Sequence, residues 1–298
     1  MKQGQQQYLK PELINSISGL SLIARVIVDG YLSGFNQSRR VGPGLEFSQY
    51  RGYEPGDDMR LLDWKMLARS GRYYIKQSEI DTHITVKFII DASSSMQHEE
   101  AGLTKMDFVK VLVASLAFLS QKQGDAVGLY ALNDQKLYTV HPTVQNQHFK
   151  KVLHELIQIT PDGKWPSPAM ALEALHDRGQ KELVFFITDF YEQNDELISL
   201  VKSLKTARNE VVVFHIMGQH ELDFDYQGHL IFEDLESGSR VKVNAKEAQK
   251  TYLDTLGRAM AGTKDALLAK AIGYQLFSMG DPLGEALQAF LKQRNKLS

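Results

Sequence analysis

The chain has 298 residues, of which 43% are hydrophobic and 23% charged, and its formal net charge is -2. This balance is typical of a globular protein with one large domain or two smaller ones. A nearly neutral chain lacks the excess of positive charge that a general nucleic-acid or anionic-membrane binder needs, so neither partner is expected. The absence of cysteine excludes disulfides, thiolate zinc sites and cysteine nucleophiles.

The amino-terminal segment is polar at first and then moderately apolar. Its first residues lack the apolar core of a signal peptide. The apolar stretch from Leu13 to Leu32 is interrupted by Asn15, Arg25 and Asp29, which indicates an amphipathic helix and not a membrane span. We therefore expect a cytoplasmic protein without direct membrane insertion.

A densely charged segment follows this helix. It surrounds a Pro-Gly turn at Pro55-Gly56 and includes Arg51, Asp57, Asp58 and Arg60. Guanidinium–carboxylate pairs are directional, so an internal ion-pair network that fixes the segment is the favoured interpretation. The alternative is that these four residues form part of a docking surface for a partner. We group residues 1–82 as an amino-terminal helix with this segment, and residues 83–298 as a separate domain.

Apolar runs of strand length alternate with helical patterns over residues 83–298. The runs are Ile84–Asp91, Ala126–Leu132, Lys136–Val140, Glu182–Asp189, Glu210–Met217 and, more weakly, His229–Asp234. Runs that are apolar at nearly every position are typical of parallel strands covered on both faces. The alternation predicts an α/β fold with a doubly wound, mostly parallel sheet and helices at the carboxyl terminus.

Polar side chains follow the first of these runs. Asp91, Ser93 and Ser95 form a D-x-S-x-S pattern where the run ends. Alternate side chains of a tight loop can face one point, and a carboxylate with two hydroxyls is a set of hard oxygen donors suited to Mg²⁺, or less strictly to Mn²⁺ or Ca²⁺. Asp189 ends a later run, and ligands of doubly wound sheets bind where strands end. Either motif alone is more simply a turn or a helix cap, but together they favour a metal site.

The segment from Arg51 to Trp64 carries a second, more specific pattern. It is similar to the signature R-x-Y-x-x-G-D-D-x-R-x-I-D-W of the bacterial family catalogued only as domain of unknown function fifty-eight, and it continues through Ala68-Arg69 and Ile75-Lys76. The D-x-S-x-S loop resembles the metal-ion-dependent adhesion site of von Willebrand factor A domains. The resemblance is strong over residues 31–96 and looser beyond them.

The resemblance implies a von Willebrand factor A-like fold and a protein-binding role. Members of the family are often encoded beside a MoxR-type AAA+ ATPase, which makes that ATPase or its client the expected partner. Adhesion sites of this class draw one more hydroxyl ligand from a loop between the two aspartate-bearing strands. Ser167 is the first candidate for that ligand and Thr160 the second.

Three functions are compatible with this pattern. The favoured one is a non-enzymatic interaction module in which Asp91, Ser93, Ser95, Asp189 and Ser167 hold Mg²⁺ and a partner's Glu or Asp fills the open position. The alternatives are a metal-assisted hydrolase at the same site and a scaffold that binds no metal. P-loop, H-E-x-x-H and G-x-S-x-G motifs are absent from the sequence. His215 lies in an apolar run and is interpreted as a core residue.

Overall fold

A computed structural model of the chain describes residues 9–38, 49–54, 59, 62–77, 84–145, 147–167, 182–190 and 196–294. The chain forms two compact units, one made of Met1–Gly34 with Ile84–Ser298 and the other of Phe35–His83. Most of the amino-terminal helix, which the sequence pattern grouped with the charged segment, therefore falls in the larger unit. A hydrogen bond of 2.9 Å from Lys110 Nζ to Asn15 Oδ1 holds the start of this helical region there.

The elements are numbered in chain order over the described residues. The helices are α1 (Pro11–Ile14), α2 (Ile17–Ser38), α3 (Trp64–Ser70), α4 (Lys105–Lys122), α5 (His148–Gln158), α6 (Glu196–Leu204), α7 (Gln219–Asp223), α8 (Ala245–Leu268) and α9 (Leu283–Arg294). The strands are β1 (Gln49–Gly52), β2 (Tyr74–Gln77), β3 (Thr85–Asp91), β4 (Glu99–Glu100), β5 (Leu103–Thr104), β6 (Ala126–Leu132), β7 (Leu137–Thr143), β8 (Glu182–Thr188), β9 (Asn209–Met217), β10 (His229–Glu233), β11 (Arg240–Asn244) and β12 (Gly273–Ser278).

The larger unit is built on a six-stranded sheet with the order β12-β9-β8-β3-β6-β7. All neighbours in it are parallel except β6 and β7, which are antiparallel. The predicted α/β fold with a mostly parallel, doubly wound sheet is confirmed. The run at His229–Asp234 does not join this sheet, since among the described strands β10 pairs with β11 in a separate hairpin. The last strand of the sheet is β12, which the sequence pattern did not predict.

Each face of the sheet carries a distinct apolar core. On one face, Ile89, Phe186 and Val213 pack with Leu200 of α6 and Leu267 of α8. On the other face, aromatic side chains of β3, β8, β9, β12 and α9 pack in a continuous group. Its members are Phe88, Phe185, Phe214, Phe277 and Phe290. Burial on both faces explains why the central strands are apolar at nearly every position.

The strand order places the topological switch point beside β3. From β3 the chain runs outward through β6 and β7, and then returns to the other side of β3 as β8, β9 and β12. In open α/β sheets, ligands bind at such a point, beyond the carboxyl ends of the strands. Asp91 is the last residue of β3 and Asp189 directly follows β8, so both aspartates lie at the switch point.

The smaller unit contains an antiparallel pair of strands and a short helix. In this unit, β1 pairs with β2, with Arg51 opposite Ile75. The α3 helix begins at an Asp63 cap, whose Oδ1 accepts hydrogen bonds from the backbone N–H groups of Lys65 and Met66. Asp cap residues favour helix starts because they satisfy N–H groups that have no partner within the helix. The helix ends at Gly71, whose φ of 67° suits glycine.

In the described part of the chain, none of the helices combines the length and the apolar character that crossing a lipid bilayer requires.

A candidate metal site at the carboxyl edge of the sheet

The loop after β3 holds its polar side chains inward. Asp91 Oδ1 accepts a hydrogen bond of 3.0 Å from the backbone N–H of Ser93. This bond spans two residues, the local pattern by which an aspartate stabilises a turn. Residues Ser94–Gln97 then form a single 3₁₀ turn. The exposed fractions of Asp91, Ser93 and Ser95 are only 2%, 1% and 3%. Three polar side chains are therefore buried together, which is rare unless they have partners.

The predicted residues Asp91, Ser93, Ser95 and Asp189 are brought together. Ser93 Oγ and Ser95 Oγ are 3.1 Å apart, and Ser95 Oγ donates a hydrogen bond of 3.1 Å to Asp189 Oδ1. Asp189 is also buried, with an exposed fraction of 5%. One chain of hydrogen bonds thus joins the loop after β3 to the residue after β8.

The two aspartates influence each other electrostatically. Burial, and next the charge of Asp189, raise the pKa of Asp91 to about 6. Hydrogen bonds from Ser93 and from Thr188 Oγ1, the latter 2.8 Å from Asp91 Oδ2, act in the opposite direction. Two buried carboxylates that repel each other are stabilised by a cation close to both.

Lys105 supplies one positive charge to this cluster. Its Nζ lies 2.8 Å from Asp189 Oδ2 and 3.0 Å from Glu221 Oε1, and the residue is only 1% exposed. Burial alone lowers the pKa of Lys105, but the carboxylates of Asp189 and Glu221 outweigh it, so that the pKa is raised. The sequence pattern missed both Lys105 and Glu221. Lys105 begins α4 directly after the Thr104 cap, where a lysine is usually exposed.

A buried histidine on β9 forms a hydrogen bond with the backbone of Asp189. His215 Nε2 lies 3.1 Å from the carbonyl oxygen of Asp189, and His215 Nδ1 lies 2.7 Å from the Tyr274 hydroxyl. Burial lowers the pKa of His215 to about 4, so its ring is neutral near pH 7. A neutral ring that donates from Nε2 to a carbonyl must accept at Nδ1, so the Tyr274 hydroxyl donates. His215 is thus a hydrogen-bonded core residue.

The residue after Asp189 has a strained backbone. Phe190 has a φ of 51°, a left-handed conformation that is uncommon for a bulky side chain. Its N–H donates to Thr188 Oγ1 at 3.1 Å, and its ring packs edge-on against His215 with centroids 5.1 Å apart. Such conformations persist where surrounding contacts enforce them, and they cluster at ligand sites. Here the contacts with Thr188 and His215 hold Phe190 in this conformation directly after Asp189.

The loop expected to give a further hydroxyl ligand lies beside the cluster. Ser94 N–H donates to the Gly163 carbonyl at 3.0 Å, and Asp162 N–H donates to the Ala92 carbonyl at 2.9 Å. Thr160 is exposed, however, and its Oγ1 bonds to the Tyr138 hydroxyl at 3.1 Å. Ser167 is exposed too, and among the described residues no hydrogen bond joins it to the cluster. The structure therefore brings neither candidate together with the two aspartates.

A further carboxylate approaches from the turn between β10 and β11. Glu236 Oε1 is buried and has no hydrogen-bond partner in the described part of the chain. Burial, and then the charges of Asp91, Asp189 and Asp234, raise the pKa of Glu236 to about 7. An unpartnered buried oxygen beside two aspartates is unfavourable unless a cation balances it. Glu236 was not predicted, because its turn is more than 40 residues beyond β8 in the sequence.

The charged segment around Pro55-Gly56, which could form a docking surface, is only partly described. Arg51 lies in β1, and its backbone pairs with Ile75. Asp57, Asp58 and Arg60 fall outside the described residues. Their role in an ion-pair network or in docking therefore stays a prediction.

Residues 49–260 match the family described as protein of unknown function DUF58. The chain belongs to the DUF58 family. The sequence resemblance to this family is confirmed, and the matched range includes the D-x-S-x-S loop, Lys105, Asp189 and Glu236.

Known proteins similar to this DUF58 chain include the uncharacterized protein Rv1480 of Mycobacterium tuberculosis. It is 26% identical over 233 residues, which cover 76% of this chain and 72% of that protein. An aerotolerance-related membrane protein from Bacteroides fragilis is 17% identical, with 72% and 99% of the two chains covered and a TM-score of 0.45. A von Willebrand factor type A protein from Catenulispora acidiphila is 14% identical, with 70% and 42% covered and a TM-score of 0.37. At these TM-scores, the fold assignment rests on the strand order.

The donor set of this DUF58 protein fits a hard cation. Among the described residues, no group of three or more His, Cys, Asp or Glu side chains is arranged as a metal site. The candidate site instead combines two carboxylates with two hydroxyls, a set of oxygen donors that Mg²⁺ accepts together with water. A carboxylate oxygen has two lone pairs, so it can accept a hydrogen bond and also coordinate a cation. The repulsion among Asp91, Asp189 and Glu236 favours the same kind of ion.

Proposed function

We propose that this protein is a divalent-metal-dependent interaction module that binds a protein partner and does not act as an enzyme. The observation that carries the proposal is the buried hydrogen-bonded cluster of Asp91, Ser93, Ser95 and Asp189 at the switch point of the sheet. Mg²⁺ bound there supplies a Lewis-acidic position that a carboxylate from another protein can occupy. Mn²⁺ and Ca²⁺ share this chemistry.

The chain's own residues position this site in two ways. Thr188 Oγ1 and the Ser93 N–H fix the two oxygens of Asp91. Lys105 holds Asp189 Oδ2, while Ser95 holds Asp189 Oδ1. Because hydroxyl donors add no charge, the bound cation keeps enough positive charge to attract an acidic side chain. Ser95 and Asp189 also line a cavity, which gives such a side chain a path to the site.

Mg²⁺ should stabilise the wild-type protein and fail to stabilise an Asp91→Asn variant. A ligand at about 100 times its dissociation constant raises the free energy of unfolding by about 2.7 kcal/mol when it binds only the native state. Asn keeps the shape of Asp91 but removes its charge, so binding should be lost. Thermal unfolding in Mg²⁺ and in EDTA, with calorimetric titration of Mg²⁺, measures both effects.

Asp162→Asn is the matched control for this experiment. Asp162 lies on the same edge of the sheet and is exposed, and within the described residues its carboxylate accepts one hydrogen bond, of 2.8 Å from the Gly163 N–H. This variant should respond to Mg²⁺ as the wild type does. Equal unfolding curves with Mg²⁺ and with EDTA would instead support a scaffold that binds no metal.

Because the sequence resembles the family signature, we propose a MoxR-type AAA+ ATPase or its client as the partner. A MoxR-type AAA+ ATPase of the same organism should co-purify with the tagged chain in Mg²⁺ and be released by EDTA. The Asp91→Asn variant should capture none of it, whereas Asp162→Asn should capture it normally. Retention of the ATPase in EDTA, or by Asp91→Asn, would show that the contact does not depend on this site.

A further inference from the structure

A cavity of about 550 Å³ opens from the candidate metal site toward the β10–β11 hairpin and α8. Its polar end is formed by Ser95, Lys105, Asp189 and Glu221, and its opposite walls are aromatic and aliphatic. This volume lies within the range of about 300–1,000 Å³ that is usual for ligand sites, which are mostly apolar with a few polar groups. The open side of the metal site therefore faces an apolar space and not bulk water alone.

Four aromatic side chains form the main wall of this cavity. They are Phe224, Tyr226, Phe232 and Tyr252. The ring centroids of Phe224 lie 4.5 Å from Tyr252 and 5.8 Å from Phe232, and those of Tyr226 and Phe232 are 5.2 Å apart. Rings that pack on one another in this way keep their positions, so the wall is formed before any ligand arrives.

The mouth of the cavity keeps apolar surface in contact with solvent. Val241 lies opposite Phe232 in the β10–β11 pair and is 59% exposed, although it lines the cavity. Leu235, in the adjoining turn, also lines the cavity and is 46% exposed. A small ligand would be mostly enclosed by its site. An exposed apolar mouth suits a polypeptide, whose chain continues past the cavity and covers this surface.

The charge at the rim limits which polypeptides fit. Glu233 and Asp234 line the cavity, and Glu236 lies on the same turn. Arg240 is 2.9 Å from Glu233 and is already paired with it. Lys105 lines the polar end of the cavity, and beyond that end the acidic rim disfavours a carboxylate. A partner segment should carry one acidic residue at the site and neutral or basic residues around it.

We propose that the partner inserts a short segment in which an acidic residue is adjacent to a bulky apolar residue. The carboxylate lies at the candidate metal site, and the apolar side chain packs against Phe224 and Phe232 in the cavity. This inference rests on the proposed function, because the carboxylate binds through the metal. It adds the recognition rule that distinguishes one acidic segment from another.

The test uses amidated hexapeptides Gly-Gly-X-Glu-Gly-Gly with fluorescein at the amino terminus, where X is Gly, Leu, Phe or Asp. Fluorescence anisotropy with the full chain in Mg²⁺ gives their affinities. Burial of one large apolar side chain should make the Leu and Phe peptides bind about tenfold tighter than the Gly peptide. The Asp peptide should bind more weakly than the Gly peptide because of the acidic rim.

Two substitutions should remove the tighter binding of the Leu and Phe peptides, and a third substitution is their control. Ala248 is half-buried in α8 and lines the cavity, so Ala248→Phe fills it. Val241→Asp places a charge on the exposed mouth, where it does not disturb the core. Both should reduce the Leu and Phe peptides to the affinity of the Gly peptide. Ala259→Phe introduces the same side chain at an exposed position of α8 and should leave the preference intact.

The outcomes separate this inference from the proposed function. Equal affinities of the Leu, Phe and Gly peptides, or a preference that survives both Ala248→Phe and Val241→Asp, overturn the inference even when calorimetry detects Mg²⁺ binding. Failure of Mg²⁺ to bind in the same sample overturns the proposed function and this inference with it. An apolar preference that disappears in both cavity variants, with unchanged Mg²⁺ affinity, supports both.

Discussion

Replacing Lys105 with methionine should lower the free energy of unfolding of the metal-free protein by about 3–5 kcal/mol. The Lys105 ammonium is 1% exposed and lies between the carboxylates of Asp189 and Glu221. Its removal leaves the buried carboxylate of Asp189 and the partly buried carboxylate of Glu221 without this ammonium. The cost comes more from the uncompensated negative charge than from the lost attraction, because a buried charge that is not balanced is strongly unfavourable.

Urea denaturation followed by tryptophan fluorescence measures this effect. The chain has only two tryptophans, and Trp64 belongs to the smaller unit. In a Trp64→Phe background the signal comes from Trp165, which is buried against Phe186 in the larger unit. Mg²⁺ should restore part of the lost stability of Lys105→Met, since a divalent ion at the site replaces the missing positive charge.

Lys122→Met is the matched control on the same helix. Lys122 lies 2.8 Å from Asp29, but the two side chains are 42% and 59% exposed. Exposed pairs contribute about 0–1 kcal/mol, so this variant should lose little stability. Adding Glu221→Gln to Lys105→Met removes one of the stranded charges and should recover part of the loss. Equal stability of Lys105→Met and Lys122→Met would contradict a buried charge cluster.

The positions of Asp91 and Asp189 could be predicted from the sequence for a general reason. Both end apolar runs, and parallel strands in one sheet have their carboxyl ends on the same edge. The apolar runs themselves were clear because the central strands are buried on both faces, as the uniformly buried β3 illustrates. Once the sheet was parallel, the meeting of the two residues required only that β3 and β8 be neighbours, which they are.

The partners of these aspartates could not be predicted in the same way. Lys105 is separated in sequence by 84 residues from Asp189 and by 116 from Glu221, and no local pattern records such contacts. Glu236 belongs to a hairpin outside the main sheet. The apolar run of β10 was read as a strand of that sheet, because periodicity shows that a strand forms but not which strand it pairs with.

The edge strand β12 illustrates another limit of the sequence pattern. Most of Gly273–Ser278 is partly buried, since β12 is the edge strand of the sheet as the described residues form it. Its sequence therefore lacks the continuous apolar run that marked the central strands. The structure does not bring Ser167 or Thr160, the two candidates for a further hydroxyl ligand, to the cluster, for a related reason. The loop between α5 and β8 contacts the cluster through backbone hydrogen bonds. A loop has no regular alternation of side chains, so its sequence does not show which of them face the cluster.

The aromatic core behind the site gives the second large expected effect. Phe214 has an exposed fraction of 0%, and its ring lies 4.9 Å from Phe185, 5.0 Å from Phe277 and 5.0 Å from Phe290 between ring centroids. Phe214→Ala should lower the free energy of unfolding by about 3–5 kcal/mol, because the lost apolar burial is joined by a cavity that rigid neighbours cannot fill. The loss of aromatic pairs adds to this cost.

The same substitution tests how firmly the candidate site is attached to the core. Phe214 precedes His215, which holds the Asp189 carbonyl from the other face of β9. If β9 stays in register, Phe214→Ala should shift the urea midpoint of the Trp165 signal while leaving Mg²⁺ affinity close to that of the wild type. Leu268→Ala, at a residue that is 50% exposed, should change stability by no more than about 0.5 kcal/mol. If Phe214→Ala lowers the free energy of unfolding as little as Leu268→Ala does, the five-ring core does not hold the sheet together. If Phe214→Ala also abolishes Mg²⁺ binding, the site depends on the packing of this core.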